Sequence, residues 1–113
     1  MSIRTVKYEL EARLTGKAYG FFAKPSGKVE RKSYDDGVER LKISLKNIKV
    51  PERSNAVVKA GVLEIVQITL TNGTGRLDNE SVRPDSIPTL EAGQTIGVYI
   101  NDELVLKGKL YTD

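Results

Sequence analysis

VKYELEARL, residues 6–14, alternates apolar and polar side chains at every step. One side of an extended chain would carry its apolar members, Val6, Tyr8, Leu10, Ala12 and Leu14. The other side would carry its charged members, Lys7, Glu9, Glu11 and Arg13. Successive side chains of a β-strand point to opposite faces, whereas a helix would spread these apolar residues around its circumference. The stretch therefore predicts a half-buried antiparallel strand.

The same two-residue period recurs along the chain between turn signals. These signals are Pro25-Ser26-Gly27, Asp35-Asp36-Gly37, Asn72-Gly73 and Asn101-Asp102. KVERKSY (28–34) predicts a polar strand at a sheet edge. ERLKISLKNIKV (39–50) predicts a strand that bends where Asn47 breaks the alternation. VRPDSIPTLEAGQ (82–94) predicts a long connection without regular structure, because it contains two prolines and a glycine.

These segments predict an all-β chain. No segment keeps a helical apolar stripe over ten residues, and turn signals come at intervals of roughly 8–12 residues, as in sandwiches and barrels. We expect about eight strands in an antiparallel two-sheet β-sandwich, immunoglobulin-like or jelly-roll-like. The 82–94 connection would cross between the sheets. A chain of 113 residues has room for one core, so residues 1–113 are expected to form a single domain.

The composition argues against catalysis and metal binding. The chain has no cysteine, no histidine and no tryptophan. It therefore lacks disulfides, thiolate ligands, the commonest metal ligand and the usual general base. The prediction is a protein that is not an enzyme and uses no metal or cofactor. A carboxylate-based hydrolase is the one catalytic exception, since such a pair is assembled in space.

The chain shows no sign of membrane insertion. Its most apolar window, GVLEIVQITL (61–70), is interrupted by Glu64 and Gln67 and falls short of the roughly 18 residues that a spanning helix needs. The start, MSIRTVKYEL, lacks the apolar core of a signal peptide. A cytoplasmic location is the expectation.

KAYGFFAKPSGK, residues 17–28, places three aromatic rings within four residues, between lysines. It resembles the aromatic strand of cold-shock and related single-strand-binding barrels. The resemblance implies that Tyr19 and Phe21 stack on bases while Lys17, Lys24 and Lys28 contact phosphates. It covers about a dozen residues, and KVERKSY lacks the second aromatic and histidine motif of those domains. The alternative is a strand whose Ala18, Gly20 and Phe22 face the core.

Further basic residues follow this stretch. Arg31 and Lys32 follow it directly, and Lys42, Lys46 and Lys49 come later. Such residues on alternate strand positions are usually a solvated face, and a phosphate-binding surface is the alternative. The candidate binding residues are therefore Lys17, Tyr19, Phe21, Lys24, Lys28, Arg31 and Lys32.

The charges of the two halves differ in sign. Residues 1–60 contain fourteen Lys/Arg and seven Asp/Glu, a net charge of +7, and residues 61–113 contain four and eight, a net charge of −4. Halves of opposite sign can attract within one molecule or between two copies. The first hypothesis is a non-catalytic interaction or structural module that binds a protein partner or itself. The alternatives are single-stranded nucleic-acid binding through residues 17–28 and a carbohydrate-binding module built on Tyr19, Tyr34 and Tyr99 or Tyr111.

Overall fold

The computed structural model describes residues 5–16, 24–81 and 87–112, and within these ranges the chain is all-β. The strands are β1 (Val6–Thr15), β2 (Ser26–Tyr34), β3 (Glu39–Lys46), β4 (Asn55–Ala60), β5 (Leu63–Thr69), β6 (Gly75–Ser81), β7 (Thr95–Ile100), β8 (Glu103–Lys109) and β9 (Tyr111–Thr112). The predicted all-β class is confirmed. None of the described segments is a helix able to cross a membrane.

All of these strands belong to one antiparallel sheet that is nearly barrel-shaped. Its order is β5-β4-β7-β8-β1-β2-β3-β6, and β9 pairs with β1 beside β8. The expected division into two sheets is not confirmed. The prediction that residues 28–34 form an edge strand is wrong, because β2 lies between β1 and β3. Lys28 and Lys32 form ion pairs with Glu9, Glu11 and Glu30 on the outer face, and Val29 is buried on the inner face, which makes a polar strand stable inside the sheet.

The alternation in β1 determines which of its side chains face the core. Leu10, Ala12 and Leu14 are buried as predicted, whereas Val6 and Tyr8 extend past the core and are exposed. The Tyr8 hydroxyl donates a hydrogen bond to the Leu90 carbonyl at 3.0 Å. The core continues through the inward positions of the other strands. Its largest fully buried members include Val29, Leu41, Ile43, Leu45, Val58, Leu70, Ile96 and Leu106. Ile87 and Leu90 of the connection before β7 also belong to it.

The Asn72-Gly73 turn forms where the sequence predicts it. Asn72 and Gly73 both have positive φ, 54° and 70°, and Thr71 and Thr74 exchange two backbone hydrogen bonds around them. The hairpin stops there, because β6 pairs along its whole length with β3 instead of β5. Leu77 lies opposite Ile43 in that pairing and packs against the core.

Two other local predictions differ from the structure. The turn predicted at Pro25-Ser26-Gly27 is wrong, because Ser26 and Gly27 are the first residues of β2 and pair with Thr15 and Leu14 of β1. Asn47 has φ 58° and breaks the alternation as expected, but β3 ends at Lys46 and no strand continues through residues 48–50.

The Asn101-Asp102 turn supports a stability prediction. Both residues have positive φ, 51° and 64°, in a two-residue loop between Ile100 and Glu103. The second position of such a turn favours glycine. We expect Asp102→Gly to raise the free energy of unfolding by about 0.5–1 kcal/mol in urea denaturation. Glu103→Gly, one residue later in β8, should lower it, and equal effects of both changes would contradict the assigned turn.

The junction between β8 and β1 is the least regular part of the sheet. A single ladder pair, Thr15 with Lys107, joins the two strands in the described residues. Two glycines let the backbones approach closely there. A Cβ atom on Gly16 would lie 2.2 Å from the Val105 carbonyl oxygen, and one on Gly108 would lie 2.2 Å from the Arg13 carbonyl oxygen. Together with the two pairs between β9 and β1, Leu10 with Thr112 and Glu11 with Tyr111, this contact joins β1 to the β8–β9 segment.

Candidate functional site

The structure separates the candidate binding residues into three groups. Lys17, Tyr19 and Phe21 lie outside the described residues. Lys24 is exposed just before β2, and Lys28 and Lys32 lie on the outer face of β2. Arg31 lies on the opposite, inner face and is buried. Lys28 and Lys32 therefore share the outer face of β2, and Arg31 lies on the inner face.

Lys28 and Lys32 are paired with carboxylates. The Lys28 ammonium lies 3.0 Å from Glu30 and 3.4 Å from Glu11. The Lys32 ammonium lies 3.8 Å from Glu9 and 3.7 Å from Glu30. The hydrogen bonds from Lys28 to Glu30 and Glu11 raise its pKa above the ordinary lysine value. These two lysines are thus balanced locally by the acidic residues of β1 and β2.

Arg31 is one of the candidate binding residues, and the structure places its side chain inside the fold. It is 7 % exposed and forms an ion pair with Glu39 of β3. Its Nε donates to the Pro88 carbonyl at 2.9 Å. Glu39 also accepts a hydrogen bond from Ser33. Together Arg31, Ser33 and Glu39 form the inner polar cluster, which fixes residues 87–90 against the core.

The charge of Glu39 depends on this cluster. Burial raises the pKa of the Glu39 carboxyl, but the hydrogen bonds from Arg31 and Ser33 outweigh that effect, so the pKa lies below its ordinary value. The carboxylate is therefore charged in the folded protein at neutral pH. Sequence reasoning missed Ser33 and Glu39, although the two-residue period places Val29, Arg31 and Ser33 on one face.

The outer face of β1, β2, β3 and β6 carries its charges in rows that cross the strands. The ladder registers align the first row, called here the basic row, as Arg13, Lys28, Ser44 and Arg76. The next, called here the acidic row, is Glu11, Glu30, Lys42 and Asp78. The third is mixed and consists of Glu9, Lys32, Arg40 and Glu80. The basic row contains no carboxylate, so positive charge accumulates at one end of this face.

Arg40 and Asp78 form the best-aligned pair of the outer face. The guanidinium donates two hydrogen bonds to the carboxylate, at 2.9 and 2.7 Å. The hydrogen bonds from Arg40 lower the pKa of Asp78 below its ordinary value, and the charges of Arg40 and Lys42 add to this. Asp78 therefore stays charged at neutral pH and is engaged mainly by Arg40.

Tyr99 and Tyr111, two of the tyrosines in the described residues, do not share a row. Tyr99 of β7 lies over Gly97, and the Lys59 ammonium lies 4.9 Å from the centre of its ring. Tyr99 pairs with Leu104, whereas Tyr111 pairs with Glu11 seven residues further along the β8–β9 segment. At the rise of a strand this separates the two rings by roughly 20 Å. Tyr99 covers Gly97. A flat platform for a sugar would need the rings of Tyr99 and Tyr111 to lie closer together.

The free edge of β5 is the most apolar exposed part of the described chain. β5 ends the sheet path and pairs with β4 on one side only. At its start Val62 is 99 % exposed and Leu63 is 65 % exposed. Glu64 is the only charged residue of the strand. The other free edge, β6, carries Arg76, Asp78 and Glu80 in its seven residues, GRLDNES.

Among the described residues no group of three or more acidic, histidine or cysteine side chains could hold a metal ion. Comparison with protein-family models and with curated proteins found no match. The described chain thus offers two candidate surfaces, the charged outer face of β1, β2, β3 and β6 and the free edge of β5.

Proposed function

We propose that this protein is a non-catalytic interaction module that binds a second copy of itself through the edge of β5. The observation that carries the proposal is a strand of apolar and β-branched residues with one unpaired edge, and both its first residue, Leu63, and the preceding turn residue, Val62, are exposed. An unpaired edge presents a row of backbone donors and acceptors to another strand. Chains normally blunt such edges with charge or proline, and β5 has a single glutamate.

A two-fold pairing of β5 with β5 fits the charges best. With the axis at Val66, an antiparallel pair sets Glu64 of each copy opposite Ile68 of the other. The two carboxylates are then offset by four residues along the sheet, about 13 Å, where their repulsion is screened. Pairing of two β6 edges would instead bring Asp78 and Glu80 of both copies close together, which disfavours it.

We also propose that the two halves of the sheet are the two layers of a β-sandwich. One layer would be β6-β3-β2-β1 and the other β5-β4-β7-β8. The sparse ladder at β8–β1 and the shared core cluster support this division. An experimental structure with continuous pairing between β8 and β1 would contradict it.

The self-association is tested by solution mass. We expect sedimentation equilibrium to give twice the 12.5 kDa of one chain at high concentration. Leu63→Lys should weaken the dimer at least about ten-fold, because it places a charge in the pairing edge and removes apolar contact. Leu104→Lys is the control, since Leu104 is also exposed but belongs to β8. A wild-type mass of one chain at every concentration would disprove the proposal.

The register is tested by cross-linking, which is straightforward because the chain has no cysteine of its own. Val66→Cys places two thiols opposite each other at the proposed two-fold axis, so mild oxidation should yield a covalent dimer. Asn79→Cys, on the β6 edge, should not cross-link. If a mixture of the two variants gave mainly the mixed dimer, the copies would pair head to tail, and the two-fold model would be wrong.

A further inference from the structure

Ser44 lies at the centre of four basic side chains on the outer face of the sheet. Lys28 and Arg76 are its direct partners on the neighbouring strands β2 and β6. Lys42 and Lys46 lie two residues away on the same face of β3. Directly opposite Cβ atoms in a sheet are about 5 Å apart, and same-face residues of one strand about 7 Å. Three of these cations, Lys28, Lys42 and Arg76, line the surface next to Ser44, and Lys46 lies two residues from Ser44 on the same face.

Two of these groups have unused hydrogen-bond donors. Within the described chain, neither the Arg76 guanidinium nor the Ser44 hydroxyl has a side-chain partner. The nearest carboxylates are engaged elsewhere, because Glu30 pairs with Lys28 and Lys32, and Asp78 pairs with Arg40. The charge of Lys42 is partly balanced by Asp78, and Lys42 in turn helps to lower the pKa of Asp78. Arg76 and Lys46 thus supply the unbalanced positive charge.

The surface is also concave at this point. A depression of about 320 Å³ is lined by Lys28, Lys42, Ser44 and Arg76 together with Glu30, Ile43, Leu77 and Asp78. A guanidinium binds a tetrahedral oxyanion through two parallel N–H groups, while a hydroxyl and ammonium groups can donate to its other oxygens. The two carboxylates on one side of the depression disfavour ligands that extend toward the acidic row.

We propose that this depression is a phosphate-binding site centred on Ser44 and Arg76. The ligand is a phosphate oxyanion, which either a free polyphosphate or the backbone of a single-stranded nucleic acid could supply. The basic row continues past Lys28 to Arg13, so an extended anion would run across the strands along this row. The site lies on the outer face of β3 and β6 and does not depend on self-association.

The proposal is tested by titrating the ¹⁵N-labelled protein at low salt with tripolyphosphate and, separately, with a fluorescent oligothymidylate. We expect saturable shifts of the amides of β3 and β6, and about ten-fold weaker binding in Arg76→Gln, since one charge-assisted contact is lost. Affinity should also fall as salt is raised. Binding of tripolyphosphate alone assigns a free phosphate, and binding of both assigns the shared oxyanion.

Lys59→Gln is the matched control. It removes one positive charge from β4, which lies three strands from β1 in the sheet order, and should leave both affinities unchanged within about two-fold. All variants are also measured in the Leu63→Lys background, in which the proposed dimer is weakened, so that anion binding is separated from dimerisation. Absence of saturable binding to either anion, or equal weakening by Arg76→Gln and Lys59→Gln, would overturn the proposal.

Discussion

Gly108→Ala is expected to lower the free energy of unfolding by roughly 3 kcal/mol or more, the largest effect of any single methyl group in the described chain. The added Cβ would lie 2.2 Å from the Arg13 carbonyl oxygen and 3.0 Å from its carbonyl carbon. Both are backbone atoms, so no side chain can rotate to make room. The clash falls where one ladder pair joins β8 to β1, so relief requires the two strands to separate.

Gly16→Ala should behave in the same way, because its Cβ would meet the Val105 carbonyl oxygen at 2.2 Å. Gly61→Ala is the control. Gly61 has φ 62° and no heavy atom within 4 Å of an added Cβ, so only backbone strain of about 1 kcal/mol is expected. Urea denaturation followed by circular dichroism measures all three. Equal losses in Gly108→Ala and Gly61→Ala would mean that β1 and β8 do not approach as closely as described.

The sequence predicts the parts of the fold that depend on neighbours along the chain. Alternation identifies the strands and their inner faces, as Leu10, Ala12 and Leu14 show. Turn chemistry places the Asn72-Gly73 and Asn101-Asp102 loops, because positive φ is a local requirement of those residues. The pairing of β6 with β3 is different. It depends on which distant strand covers Leu77 and Ile43, and no local signal specifies that choice.

The candidate site shows the same limit. The two-residue alternation of KVERKSY correctly places Lys28 and Lys32 on the outer face of β2, and it places Arg31 on the inner face. A charged residue on the inner face is unexpected until its partners are known. Those partners, Glu39 and the Pro88 carbonyl, come from β3 and from the connection before β7. The rows around Ser44 likewise become visible only once the registers of four strands are known.

Arg31→Ala is expected to lower the free energy of unfolding by roughly 3 kcal/mol, because it removes the buried member of an ion pair whose carboxylate is partly exposed. It leaves the Glu39 carboxylate without its cation and the Pro88 carbonyl without its donor. Residues 87–90 would lose a connection that positions Ile87 and Leu90 in the core. Arg40→Ala is the control, since its pair with Asp78 lies on the outer face with the carboxylate half exposed. It should cost about 1 kcal/mol or less.

The pH dependence distinguishes the ion pair from simple loss of packing. The pKa of Glu39 is lower in the folded protein than in the unfolded chain, where it is about 4.3. The stability that the Glu39 carboxylate contributes is therefore fully present above its unfolded-state pKa, and it is lost as pH falls through its folded-state pKa. Wild-type stability should decline in this acidic range more steeply than that of Arg31→Ala, whose Glu39 has lost the hydrogen bond and the charge of Arg31 that lower its pKa.

In Arg31→Leu/Glu39→Leu both charges of the pair are gone, so much of the lost stability should return and the Glu39 contribution to the acid slope should disappear. Parallel pH profiles for wild type and Arg31→Ala would show that the pair is not formed, because no other change in Arg31→Ala alters the titration of Glu39.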